Sequence, residues 1–183
     1  YSGYSAVLRA GNLKLRSGEA QAADEFSRTE GGFSRFNFDV NHVSKLSKVT
    51  QFYIFAHGQL ANRNLDSSEQ FYLGGADAVR AYPQGEAGGD SGYQATAELR
   101  YQTPVKGMSM TLFADVGEVL ARKDGDTSDP HRRLAGWGIG AVYSLDRSLY
   151  ARLDYARKIK GESYRSEAED KNGRLWFRLY KLF

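Results

Sequence analysis

Strict alternation of apolar and polar residues over positions 93–102 is the feature that most constrains the fold of this chain. The apolar set is Tyr93, Ala95, Ala97, Leu99 and Tyr101. A helix would space its apolar residues three or four positions apart, whereas successive side chains of a β-strand point to opposite faces. The segment therefore predicts a strand with one apolar and one polar face.

The same alternation recurs along the chain and predicts an all-β protein of about eight antiparallel strands. The predicted strands are 4–16, 33–43, 50–60, 93–102, 108–117, 134–145, 149–155 and 174–183. The long polar loops between them are 17–31, 61–91, 118–133 and 158–172. Short turns at one end of the strands and long loops at the other are the anatomy of an outer-membrane β-barrel.

The polar faces of the strands distinguish two kinds of β-structure. A soluble barrel or sandwich turns its apolar faces inward, whereas a membrane barrel turns them toward lipid and keeps a wet lumen. Charges stack on one side of the predicted strands, at Arg35, Asp39, Glu98, Arg100, Arg152, Asp154, Arg174 and Arg178. We therefore expect a transmembrane barrel of the bacterial outer membrane, with a soluble sandwich as the alternative.

Composition narrows the classes of function. The 183 residues include no cysteine, which excludes a disulfide scaffold and a thiolate metal site. The net charge is +3 and no basic run occurs, so we expect no nucleic-acid partner. Because the chain begins at Tyr1 without an initiator Met or a signal sequence, we expect a mature product or an excised fragment.

The loop 61–91 is rich in glycine, which excludes a regular helix or a central strand through most of it. Large apolar residues interrupt the glycines, and their burial requires the loop to fold inward and carry Arg80 with it. Asp115 lies on the polar face of its predicted strand. A guanidinium can pair with one carboxylate through two hydrogen bonds, but the residues alone leave two interpretations open: an Arg80–Asp115 pair, or a solvated Arg80 with Asp115 as one of many lumen acids.

Two motifs carry a family resemblance. The segment LGGADAVRAY, Leu73 to Tyr82, and the segment FADVG, Phe113 to Gly117, resemble the long-loop and barrel-wall signatures of the two-partner-secretion transporters, the TpsB family. The resemblance implies a loop-lock motif of Val79, Arg80, Ala81 and Tyr82 at the tip of an inward-folded loop. It also implies a barrel-wall motif of Phe113, Asp115 and Gly117, and it favours the Arg80–Asp115 pair between the two motifs. The chain departs from the family at Ala81, where glycine is usual.

The resemblance covers part of the family's architecture. Members of the family have a 16-stranded barrel preceded by two periplasmic POTRA domains, with the long loop between strands eleven and twelve. Residues 1–183 would then be a C-terminal barrel domain of eight strands, with the POTRA domains and the first half-barrel absent. A self-closing small barrel is the other interpretation of the same eight strands.

The last predicted strand resembles the C-terminal assembly signal of bacterial outer-membrane barrels. Phe177, Leu179 and Phe183 share one face, and the sequence ends on an aromatic residue. Lys181 departs from that pattern, although a cation near a membrane interface costs little. The resemblance implies recognition by periplasmic chaperones and by the barrel assembly machinery.

Catalysis and metal binding have weak sequence support. The histidines, His42, His57 and His131, fall at a turn end, on a strand and in a loop, with no spacing that couples them to an acid or a serine. Asp124, Asp126 and Asp129 lack the later glutamate of a calcium loop. The glycines at 136, 138 and 140 repeat with period two, which favours a strand whose small face makes room for the loop over a dinucleotide motif.

The resemblance implies an outer-membrane translocator that exports a large partner exoprotein of the adhesin or cytolysin type. The loop 61–91 would be its gate or lock. The expected partners are that exoprotein, outer-membrane lipid, chaperones and assembly machinery, and no enzyme activity, cofactor or metal is expected. The alternative is a small closed barrel that acts as an adhesin or structural protein without a conduit.

Overall fold

The computed structural model describes residues 1–122, 131–145, 148–159 and 172–182. In chain order the elements are β1 (Ser2–Leu13), α1 (Gly18–Ser27), β2 (Gly31–Lys45), β3 (Thr50–Ala61), β4 (Phe71–Leu73), β5 (Ala87–Gly89), β6 (Ser91–Gln102), β7 (Met108–Leu120), β8 (His131–Leu145), β9 (Leu149–Lys158) and β10 (Gly173–Lys181). The chain is therefore mostly antiparallel β-structure, which confirms the predicted fold class.

Eight long strands form one antiparallel sheet in the order β1-β2-β3-β6-β7-β8-β9-β10, and β4 pairs with β5 in a separate small sheet. Each long strand pairs with its neighbour in sequence, as adjacent strands of a meander do, except that β3 pairs with β6 across the long loop. Within the described residues β1 and β10 are the two edges of the sheet. The sheet is therefore an open wall in this part of the chain.

The two faces of the wall have opposite polarity. Apolar side chains such as Leu112, Trp137 and Ile139 are about half exposed on one face. On the other face Glu98 and Asp115 are almost completely buried. This inverted distribution, with apolar residues outside and charges inside, is that of a transmembrane β-barrel wall. No helix among the described residues is long and apolar enough to cross a membrane.

The segment 17–31 was expected to be a loop, and that expectation is wrong because it contains α1. Ser17 caps the helix, since its Oγ accepts a hydrogen bond from the amide of Ala20 at 3.2 Å. The helix ends at Arg28, whose φ of 52° is left-handed and whose amide donates to the Asp24 carbonyl. Because α1 buries no residue, it has no apolar stripe that the sequence pattern could have revealed.

The loop 118–133 is shorter than the sequence predicted, because β7 continues to Leu120 and β8 begins at His131. The last pair of this ladder joins Leu120 to His131. Glu118 on β7 accepts hydrogen bonds from His131 and Arg133 of β8, and these bonds stabilise the additional residue pairs at this end of the ladder. Asp124, Asp126 and Asp129 lie outside the described residues.

The apolar core lies on the inner face of the wall, where the long loop packs against side chains of the three strands β7, β8 and β9. The loop contributes Phe71, Leu73, Val79, Ala81, Tyr82 and Ala87, and the wall contributes Phe113, Val119, Leu134 and Ala156. A barrel wall facing lipid has no other place to bury apolar side chains away from the membrane. The inward-folded loop is therefore the hydrophobic core of this part of the chain.

Candidate functional site

The base of the long loop is held to β3, and to itself, by polar side chains. The amide of Gln59 on β3 donates to the carbonyl oxygens of Glu69 and Asp90, at 2.9 and 3.1 Å. The carboxylate of Asp90 accepts from the amide of Leu65 at 3.0 Å. Gln59 and Asp90 are both almost fully buried, so these bonds satisfy backbone groups that would otherwise be costly to bury.

The loop reverses direction at two glycines and presents a compact tip. Gly74 and Gly75 have φ angles of 83° and 116°, which a side chain would strain. A Cβ at Gly74 would also lie 2.4 Å from the carbonyl oxygen of Pro83. Bonds from the amide of Gly75 to the carbonyl of Tyr82, and from Tyr82 to that of Val79, close the tip. Residues 79–82 therefore project as one folded unit.

Arg80 and Asp115 meet at this tip. The Arg80 Nε and Nη2 atoms donate to the two oxygens of the Asp115 carboxylate at 2.8 and 2.7 Å. The backbone amide of Arg80 donates to the same carboxylate at 3.1 Å, and Thr96 Oγ1 donates at 2.9 Å. Asp115 is 1% exposed and Arg80 is 3% exposed. Four donors therefore surround one buried carboxylate.

A second carboxylate and an aromatic ring complete the contacts of the Arg80 guanidinium. Arg80 Nη1 donates to Glu98 Oε1 at 2.9 Å. The guanidinium carbon lies 3.3 Å from the centroid of the Phe113 ring, a cation–π contact. The motif residue Phe113 therefore forms the floor under the cation, with carboxylates at its edges.

The charges continue toward the edge of the sheet. Arg152 on β9 bonds Glu98 at 3.0 Å and Asp154 at 2.6 Å. Asp154 is fully buried and also lies 3.8 Å from Arg80 Nη1. Burying charges is costly unless each is paired, and these groups of opposite sign supply the pairing. The inner face therefore holds an ion-pair network around Arg80, rather than one isolated bridge.

Small residues on the wall make room for the loop tip. A Cβ at Gly117, the last residue of the barrel-wall motif, would lie 2.6 Å from the Leu73 side chain. A Cβ at Gly136 on β8 would lie 2.6 Å from the Cβ of Ala81. Among the described non-glycine residues only Arg28 has a positive φ, so Ala81 avoids the strain that its departure from glycine could have caused. The Ala81 methyl group fits because Gly136 has no side chain.

The far side of the tip contacts the last two strands. The indole Nε1 of Trp176 on β10 donates to the carbonyl oxygen of Arg80 at 2.7 Å. Arg178, also on β10, forms an ion pair with Asp77 of the loop. The ammonium group of Lys158 on β9 lies 4.9 Å from the centroid of the Tyr82 ring. The loop-lock residues therefore span the wall from β6 to β10.

Sequence reasoning missed Glu98, Asp154 and Trp176 as partners of the loop. Glu98 and Asp154 stood among the stacked inner-face charges, but nothing in the local pattern placed them near Arg80. The signal for Trp176 was an aromatic residue at a polar-face position of a strand, beside Arg174 and Arg178.

The other singled-out residues lie apart from the tip. Phe177 and Leu179 are on the outer face of β10, more than half exposed, and Phe183 lies outside the described residues. His42 contacts Ser2, His57 contacts Asp39 and His131 contacts Glu118, so they occupy three separate places. In the described ranges no group of three or more metal-ligating side chains forms a cluster.

Residues 5–143 match the family model of the haemolysin secretion/activation proteins ShlB/FhaC/HecB. The chain belongs to this family. The match includes both Arg80 and Asp115, and it confirms the TpsB resemblance of the two motifs. Trp176 and β10 lie beyond the matched residues.

One related sequence and one similar solved structure extend the comparison for this ShlB/FhaC/HecB family member. The heme/hemopexin transporter protein HuxB of Haemophilus influenzae (strain ATCC 51907 / DSM 11121 / KW20 / Rd) is 32% identical over 111 residues, which is 58% of this chain and 20% of HuxB. The solved structure of CdiB from Acinetobacter baumannii superimposes with a TM-score of 0.64 at 20% identity, covering 84% of this chain and 27% of CdiB. The chain thus spans about a fifth of the length of the curated relatives that it matches.

Proposed function

We propose that this chain is the C-terminal barrel part of an outer-membrane translocator that exports a large partner protein of the adhesin or cytolysin type. The observation that carries the proposal is the Arg80–Asp115 pair, because it joins the two family motifs on the inner face of the wall. The family is described by haemolysin secretion and activation, and the name of HuxB includes transport. Both descriptions support the proposal. The bacterial outer membrane is the proposed location.

The loop 61–91 is the proposed gate. It packs on the inner face through Val79, Arg80, Ala81 and Tyr82, so it occupies space that an extended polypeptide would need. Its contacts at the tip combine this apolar packing with ion pairs and hydrogen bonds, and water or polar groups of a passing chain can replace the polar contacts once the tip is displaced. The pore itself needs no nucleotide or cofactor for this role.

The proposed partners follow from the two faces of the sheet. The exposed apolar outer face fits lipid, and the polar inner face fits the exported protein. A small closed barrel without a conduit, the alternative function, requires β1 and β10 to pair with each other. In the part of the chain that the structure describes, both are sheet edges, which favours the translocator.

Export by the full-length protein tests the proposal. Arg80→Ala and Asp115→Ala should each strongly reduce secretion of the partner, while a heat-modifiable folded barrel still reaches the membrane. The double variant should be little worse than either single variant, because the two changes remove the same interaction. Arg9→Ala on β1 and Asp39→Ala on β2, which alter inner-face charges away from the loop tip, are the matched controls. Normal secretion by the Arg80 and Asp115 variants would contradict the proposal.

We also propose that Phe177 and Leu179, together with Phe183, form the assembly signal read by periplasmic chaperones and the barrel assembly machinery. Phe177 lies directly across the ladder from Leu153, and both side chains face outward. Phe177→Ser should lower the yield of folded barrel in cells more than Leu153→Ser, although both remove outward apolar surface. Equal yields of the two variants would contradict the assembly-signal proposal, because the loss of apolar area alone would then explain both.

A further inference from the structure

β10 is connected to the rest of the wall by one ladder and by the loop. Within the described residues β9 is its strand neighbour, and the paired residues run from Gly173 opposite Arg157 to Lys181 opposite Leu149. The opposite edge of β10 pairs with no other described strand. Contacts between β10 and the loop add to this ladder in fixing the position of the strand.

Two such contacts exist, and they join β10 to the tip of the loop. The Trp176 indole donates to the Arg80 carbonyl at 2.7 Å, and the Arg178 guanidinium pairs with the Asp77 carboxylate. The side chain of Arg80 meanwhile binds Asp115 on β7 and Glu98 on β6. One residue thus bonds β6 and β7 through its side chain and β10 through its backbone.

We propose that Trp176 is a positioning residue that fastens the loop tip to the last strand, with the Arg178–Asp77 pair as a second tie. The indole N–H fixes the backbone of Arg80 at the point where its side chain enters the ion-pair network. The position of the tip is consequently coupled to that of β10, because displacing either one breaks these contacts. The consequence for export, that the loop cannot open without breaking its contacts with the last strand, rests on the function proposed above.

The geometry argues against a purely apolar role for Trp176. Its side chain lies on the inner face beside Arg174, whose guanidinium carbon is 5.8 Å from the ring, and it is only partly buried. Phenylalanine would keep most of the ring surface and lose only the donor. The Arg80 carbonyl would then lose the bond from Trp176, and a hydrogen bond of this kind contributes modestly but measurably.

Cysteine labelling of the loop tests this tie without an exported partner. Residues 1–183 contain no cysteine, so Val79→Cys, at a position fully buried at the tip, becomes the reporter in the full-length protein once any cysteines outside these residues have been replaced by serine. Trp176→Phe should raise the rate of labelling by a polar maleimide roughly 2- to 10-fold, the change expected for loss of one hydrogen bond. The heat-modifiable yield should stay the same.

The matched control is the same substitution at the other tryptophan, Trp137→Phe, which lies on the outer face of β8 away from the loop. An unchanged rate in Trp176→Phe, or an equal rise in both variants, would overturn the proposal. Should Trp176→Phe fail to fold, Asp77→Ala decides, because it alters an exposed loop side chain and breaks the second tie. A rise in its labelling rate supports the proposal, and no rise overturns it.

The same experiment separates this inference from the proposed function. Normal labelling in Trp176→Phe together with loss of export in Arg80→Ala would contradict the proposed role of Trp176 and support the proposed translocator function. Faster labelling in Trp176→Phe with full export in Arg80→Ala would support the proposed role of Trp176 and contradict the proposal that the loop is a gate.

Discussion

Arg80 and Asp115 form a two-point salt bridge, with Nε 2.8 Å from Oδ2 and Nη2 2.7 Å from Oδ1, across 35 positions of sequence. Both residues are almost fully buried. The planar guanidinium matches the carboxylate in this geometry, whereas an ammonium group makes a single-point contact. The identity of the cation at position 80 therefore matters as well as its charge.

In Arg80→Lys, the lysine should not hold the loop in its docked position as arginine does. We expect export close to that of Arg80→Ala, and a loss of about 1–3 kcal/mol in the stability of the docked loop, because the ammonium group leaves some of the buried carboxylate oxygens without a donor. Protease sensitivity of the loop in folded barrels measures the second effect. Arg9→Lys, at an exposed position of β1, is the control. Full activity of Arg80→Lys would show that charge alone suffices.

Gly136→Ala should displace the loop tip, because the new Cβ would lie 2.6 Å from the Cβ of Ala81. Ala81→Gly removes that methyl group, so the double variant Gly136→Ala/Ala81→Gly should recover most of the loop protection lost in Gly136→Ala. Labelling of Val79→Cys measures the effect. Gly18→Ala, where an added Cβ would meet no atom within 4 Å, is the control. If the double variant is no better than Gly136→Ala, the contact with Ala81 is not the cause.

Ile54→Arg and Phe55→Arg place the same cation at adjacent positions on opposite faces of β3. Ile54 is 39% exposed on the outer face, whereas Phe55 lines an inner-face cavity that also contains Glu98. We expect Ile54→Arg to cost about 2–4 kcal/mol if it lies near the bilayer midplane, and Phe55→Arg to cost much less. Urea unfolding of barrels in lipid vesicles compares the two variants. Equal losses would contradict the assignment of the faces.

Asp24 should keep the end of α1 ordered in mildly acidic solution. Hydrogen bonds from Thr29, through its hydroxyl and its amide, lower the pKa of this carboxyl strongly, with further bonds from Ser27 and Glu30. Since the folded pKa lies below the unfolded one, the stabilisation is present above the usual carboxyl pKa of about 3.9 and is lost as pH falls through the lower folded value.

A spin label at Ala22→Cys should therefore show constant mobility from neutral pH to about pH 4, with mobility rising only well below the usual carboxyl range. In Asp24→Asn the label should be mobile throughout, because the amide cannot accept all of these bonds. A transition in the labelled parent near the usual carboxyl pKa would mean that the hydrogen bonds at Asp24 do not form.

Much of the wall was predictable because the signal for a strand is local. A period of two needs only neighbouring residues, so β3 was predicted at 50–60 and found at Thr50–Ala61. The polarity of the faces also followed, since a membrane barrel requires apolar residues at every second position. α1 was missed for the opposite reason, because a helix that buries nothing leaves no periodic trace.

The sequence by itself predicted the alternating strands from a local pattern and the inward-folding loop from its apolar residues, and the resemblance of two motifs to a family favoured the pairing of Arg80 with Asp115. Only the tertiary structure decided which other side chains surround Arg80. Asp115 lies opposite Thr96, and Trp176 lies opposite Asp154, because of the registers of the β6–β7 and β9–β10 ladders. Register depends on the sum of many pairings along each ladder. That is why Glu98, Asp154 and Trp176 could be assigned to the loop tip only once the strands were assembled.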